Sequence, residues 1–122
     1  MIVVLKLIIA LSLLNVWVIR FDKKSPFRGA DSMSMTEEFK AYGLPKVFMY
    51  SIGLYKVLFS LFLILSLFFG SKFDQTVYMG LVFLSFIMAG SIIMHFRVND
   101  PLKKSIPALA ILFLSILVLL SF

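Results

Sequence analysis

The chain has no cysteine, a single histidine and only six acidic residues in 122. Each shortage removes a class of chemistry. Without cysteine there are no disulfides, thiolate metal sites or dithiol redox pairs, so any redox role must borrow its electron carrier. One histidine, with every acid placed in a loop, supplies neither a multi-ligand metal centre nor bis-histidine haem ligation. The chain also lacks a glycine-rich phosphate cradle and a nucleophile elbow, and no catalytic residue stands out.

What the chain has in excess is apolar surface. Hydrophobic residues make up 61% of it and the mean hydropathy is +1.06, far above a soluble domain of this size. Four continuous runs are long enough to cross a bilayer, at about 2–19, 47–69, 77–96 and 106–122. They do not alternate, which excludes barrel strands. The expected fold is therefore an all-α membrane protein, a four-transmembrane-helix bundle forming one membrane domain over 1–122. The first run reads as a retained helix and not a cleaved leader, because Arg20, Lys23 and Lys24 follow it and no small-residue cleavage site is visible.

The net charge of +6 comes mostly from two loops. Arg20, Lys23, Lys24, Arg28, Lys40 and Lys46 occupy the first loop, and Arg97, Lys103 and Lys104 the third. Lys72, with Lys6 near the end of span one, marks the opposite side. The positive-inside rule then puts loops 20–46 and 97–105 in the cytoplasm and both termini outside, in a multi-pass protein integral to the plasma (inner) membrane. Topology accounts for the charge more simply than nucleic acid does, so the bilayer is the partner expected and nucleic acid is not.

The first loop is too long for a plain hairpin and should carry structure of its own. The stretch MSMTEEFKAYGLP predicts a short interfacial helix over about 35–42, capped by Ser34 or Thr36 and stopped by Gly43 and Pro45. Phe39 and Tyr42 share one face of it, suited to the membrane surface. The plainer reading is a clamp leading into span two; the sharper one is a lid over a cavity. Spans one and three end alike, in IRFDKKSP and FRVNDPLKKSIP, as a duplicated two-helix unit or two convergent interfacial turns would.

Polar residues inside the spans point to a site. Lys56 lies nine residues into span two, roughly 14 Å at the helical rise. A basic residue near a helix centre costs about 2.5–3.5 kcal/mol, so it should face the bundle interior, a wet cavity or a partner. Gly53, Lys56 and Ser60 share a face, as do Met88, Ser91 and His95 on span three and Ser12 with Asn15 on span one. If these faces meet, Asn15, Tyr50, Lys56, Ser91 and His95 form one ligand pocket in the cytoplasmic half, with Tyr55 nearby. Tyr42, Arg97 and Asp100 are the matching loop and interface residues. Competing readings are plain: a histidine at a helix C-terminus satisfies the helix dipole, and Lys56 could snorkel. Trp17 sits where an interfacial anchor is expected, and the fourteen phenylalanines suit core and lipid contact.

The stretches AYGLPKVFMYSIGLYKVLFSL and MHFRVNDPLKKSIPAL resemble the DoxX-like family of small four-span membrane proteins. The likeness covers most of the chain. It rests on the Gly-Leu-Pro entry to span two, on Gly53 and Lys56, and on His95, Asp100 and Pro107. Many relatives resembling this pattern have glutamate where Lys56 stands, so an acid or proton role does not carry over to it. Founding members look like subunits of a membrane thiosulfate:quinone oxidoreductase, while a distant animal relative acts as an assembly chaperone for acetylcholine receptors.

Three functional expectations follow. The first is an accessory subunit of a membrane redox system, with no intrinsic cofactor, binding a quinone or other lipophile through Lys56 and His95. The second is a non-enzymatic assembly chaperone or complex subunit that docks another protein's span along the small-residue stripe. The third is a proton-coupled small-solute transporter using His95. A membrane or redox protein partner and a homo-oligomer both remain open at this level.

Overall fold

The computed structural model describes residues 2–21, 29 and 32–122. Lys23, Lys24 and Arg28 of the topology argument, and the Asp22 to Pro26 part of the turn-to-turn comparison, lie outside the described residues.

Helix α1 (Ile2–Leu14) runs on as a π-helical turn over Asn15–Ile19. After the first loop come α2 (Met35–Ala41), α3 (Lys46–Ser66) and α4 (Asp74–Arg97). A 3₁₀ turn, Leu102–Ser105, leads into α5 (Ile106–Leu120). Helix is what a chain of this composition must form in lipid, where every backbone N–H and C=O needs a partner within its own segment. Four of the helical segments are long and apolar enough to cross a membrane: Ile2–Ile19, Lys46–Ser66, Asp74–Arg97 and Leu102–Leu120. The protein is a multi-pass, all-α membrane bundle.

Helix ends match their local chemistry. Ser34 caps α2, its Oγ accepting from the Glu37 N–H at 3.3 Å, while a Glu37 carboxylate oxygen accepts from the Met33 N–H at 3.0 Å. Two helices then stop in the same way. At the end of α2, Gly43 (φ +77°) turns left-handed, and the Leu44 N–H reaches back to the Phe39 carbonyl. At the end of α4, Asn99 (φ +60°) does the same, and the Asp100 N–H reaches the His95 carbonyl at 2.9 Å. Both are Schellman turns, one made with glycine and one with asparagine, the residues that tolerate this backbone conformation best.

The bundle is two helix pairs leaning together. α1 packs most closely on α3, and α4 on α5; contacts across the α1/α5 and α3/α4 seams are sparser. Away from α2 the pairs are locked by a core that includes Ile9, Leu63, Val77, Leu81, Leu84 and Val118, all essentially fully buried. Toward α2 they diverge, and a second cluster of Trp17, Met35, Phe39 and Met49 joins α1, α2 and α3. The space left between the diverging pairs is the cavity described next.

Candidate functional site

The cavity, about 850 Å³, is lined by α1, α3, α4 and α5 and roofed by α2. That volume suits a small organic ligand. Most of its wall is apolar, including Phe48, Ile52, Phe83, Ile87 and Ile111. The polar groups on it include Asn15, Glu38, Tyr42, Lys56, Ser91 and His95.

Lys56 reaches this space because it shares the buried stripe of α3 with Gly53 and Ser60. The residue is 7% exposed, and its ammonium lies 5.1 Å from the centre of the Trp17 ring. A cation over an indole face is held by the ring quadrupole. Gly53, one turn earlier, makes room for that ring: a Cβ there would stand 2.6 Å from Trp17. Trp17, in the π-turn Asn15–Ile19, is thus buried and packed against α3. Glu38 of α2 lines the same cavity. Among the described residues no side chain or carbonyl is within hydrogen-bonding distance of the ammonium. Its three donors therefore face the cavity unmatched.

His95 stands at the roofed end. It is 4% exposed, its Nδ1 is 2.8 Å from Asp100 Oδ2, and its ring meets Tyr42 edge-on with centroids 6.0 Å apart. Asp100 Oδ1 is in turn 3.7 Å from Lys104 Nζ. With Nδ1 engaged by Asp100, Nε2 is the ring nitrogen left for another partner. Tyr42 donates its hydroxyl to Glu38 Oε2 at 2.9 Å and packs on Phe39. The face of α2 that carries Met35, Phe39 and Tyr42 is buried and turned toward the bundle, as a lid would be.

The structure brings Asn15, Lys56, Ser91 and His95 to one cavity, with Tyr42 over it. Asp100 joins through His95, whereas Arg97 is exposed beside the turn. Tyr50 is not brought there. It lies six residues before Lys56, about 120° around the helix, is 60% exposed, and lines a separate hollow of about 450 Å³ with Trp17, Gly53 and Val57. Sequence reasoning passed over Trp17 and Glu38 as site residues. Both had a signal in the need of a buried ammonium for a π-face or a carboxylate.

On the far side of Tyr55 the α3/α4 seam is closed. Tyr55 donates its hydroxyl to the Gly80 carbonyl at 2.6 Å and stacks on Phe59, 5.7 Å between centroids. Phe59 fills the place a side chain on Gly80 would take. Beyond this contact, toward α2, the helices part.

None of the curated proteins and none of the solved structures matches the chain. Residues 25–118 match the DoxX-like family, a stretch that takes in α2, α3, α4 and most of α5 and leaves α1, with Trp17, outside it. With that match over most of its length and four apolar helices in the bundle, the chain belongs to the DoxX-like family.

Proposed function

We propose that the protein binds a quinone, or a lipophile with a similar carbonyl head, in the cavity between the two helix pairs, and serves a membrane redox system as an accessory subunit. The observation that supports this reading is the buried Lys56 side chain, whose ammonium faces a mostly apolar cavity with no hydrogen-bond acceptor among the described residues. A carbonyl oxygen supplies the missing acceptor, and the surrounding Phe83, Ile87 and Ile111 suit a ring. His95, oriented by Asp100, offers a second polar contact near the roof. With one histidine and no cysteine in the chain, electrons reach or leave such a ligand through a partner protein.

The chain's one tryptophan lies beside this site, so its fluorescence is a local probe. Titrating the purified protein with a tail-less benzoquinone should quench Trp17 saturably. Lys56→Leu should weaken that binding about tenfold or more, the loss of one charge-assisted contact. Saturable quenching of equal strength in both proteins would overturn the reading. Mass spectrometry of gently purified protein provides an independent check. A co-purified protein with no quinone would move the case to docking and assembly.

A further inference from the structure

The geometry points to a lateral portal in the α3/α4 seam, through which a long-tailed ligand enters from the bilayer and along which its tail lies. This deepens the quinone reading of the same cavity and rests on it. On the α2 side of the Tyr55–Gly80 hydrogen bond, the cavity wall is built from residues that also face the lipid. Phe86 lines the cavity and is 73% exposed; Phe48, Ser51 and Phe83 line it and are exposed as well. Gly90 of α4 lines the same cavity, and an added Cβ there would meet nothing within 4 Å. The wall has a gap there, bounded below by the Tyr55–Gly80 and Phe59–Gly80 contacts and above by α2.

A head anchored on Lys56 has its polar contact at the deep end of this slot, since Lys56 follows Tyr55 directly in α3. The slot is walled mainly by aromatic and aliphatic side chains, and its one hydroxyl named here, Ser51, already donates to the Val47 carbonyl at 2.8 Å, so the wall suits methylene or isoprenoid carbons. The ligand class is therefore an amphiphile with a compact carbonyl head and a long apolar tail. A short polar solute has no use for such an opening. The α1/α5 seam also borders the cavity, through Asn15, Val16 and Ala110. It carries a side chain at each of these positions, whereas the α3/α4 seam has none at Gly90.

Because a Cβ on Gly90 meets nothing within 4 Å, Gly90→Phe starts a ring into the slot from an unobstructed position, and it replaces a poor helix former. Ile93→Phe, at an exposed position of the same helix that does not line the cavity, is the control. In phosphatidylcholine nanodiscs, Trp17 quenching would be titrated with a tail-less benzoquinone and with its decyl derivative, in wild type and both variants. The expected result is that Gly90→Phe weakens the decyl form about tenfold while the tail-less ring changes less than about twofold, and Ile93→Phe alters neither. Unchanged decyl binding in Gly90→Phe, or equal weakening of the decyl and tail-less forms by it, overturns the portal while the head-group reading stands. If the tail-less ring fails to bind wild type, the quinone reading and the portal fall together.

Discussion

His95 and Asp100 are five residues apart and joined at 2.8 Å because the Schellman turn at Asn99 folds the chain back over the end of α4. The backbone bond from the Asp100 N–H to the His95 carbonyl and the side-chain bond between the same residues form one clasp. As His95 is the chain's single histidine, its ring nitrogens report on the clasp without interference. In Asp100→Asn the nitrogen-15 shifts of His95 should lose the signature of a proton fixed on Nδ1. Asp100→Ala should cost about 1.5–3 kcal/mol in stability, the range for a hydrogen bond to a charged group. A His95 spectrum unchanged in Asp100→Asn would show that the carboxylate does not orient the ring.

The turn itself makes a backbone prediction. Asn99 adopts φ +60°, where a β-branched residue is strained by roughly 1–2 kcal/mol and glycine is not. Thermal unfolding in detergent should rank Asn99→Gly close to wild type and Asn99→Val clearly below it. Equal melting of the two variants would be the contrary result.

Lys56 separates stability from binding. The Lys56 side chain is buried and its ammonium opens on an apolar cavity with no hydrogen-bond acceptor among the described residues, so Lys56→Met, similar in length and apolar, should stabilise the ligand-free bundle. The gain should be about 1–3 kcal/mol, offset in part by the lost contact with Trp17. A lower melting temperature for Lys56→Met would make the ammonium a structural element and not a reserved ligand contact.

Gly53 tests the placement of Trp17. Any side chain there meets the indole, 2.6 Å from a Cβ, so Gly53→Val should displace the ring and cost about 1–3 kcal/mol. Trp17 emission should shift to longer wavelength as the ring leaves its buried site. An unchanged emission maximum would mean that the helices do not approach as closely as described.

Much of the architecture was legible before any coordinates. The four apolar runs, the Ser34 cap and the Gly43–Pro45 stop are local features, and each appears where its residues predict it. The span limits moved by a few residues. α4 begins at Asp74, whose acid suits a helix N-terminus, and α3 ends at Ser66, ahead of the left-handed Gly70. The inward face of α3 was legible too, since Gly53, Lys56 and Ser60 are the residues least suited to lipid.

Hydrophobicity said little about the rest, because lipid is as apolar as a bundle core and Leu54, Leu58 or Phe86 can face outward at no cost. Sequence by itself determined the class, the spans and the polar stripe, all set by the length of apolar runs and the price of a charge in hydrocarbon. Only the tertiary structure decided that the helix pairs part on the α2 side, that the π-turn brings Trp17 under Lys56, and that Tyr50 points elsewhere. Those depend on how ridges and small residues meet between helices, and no single segment holds that information.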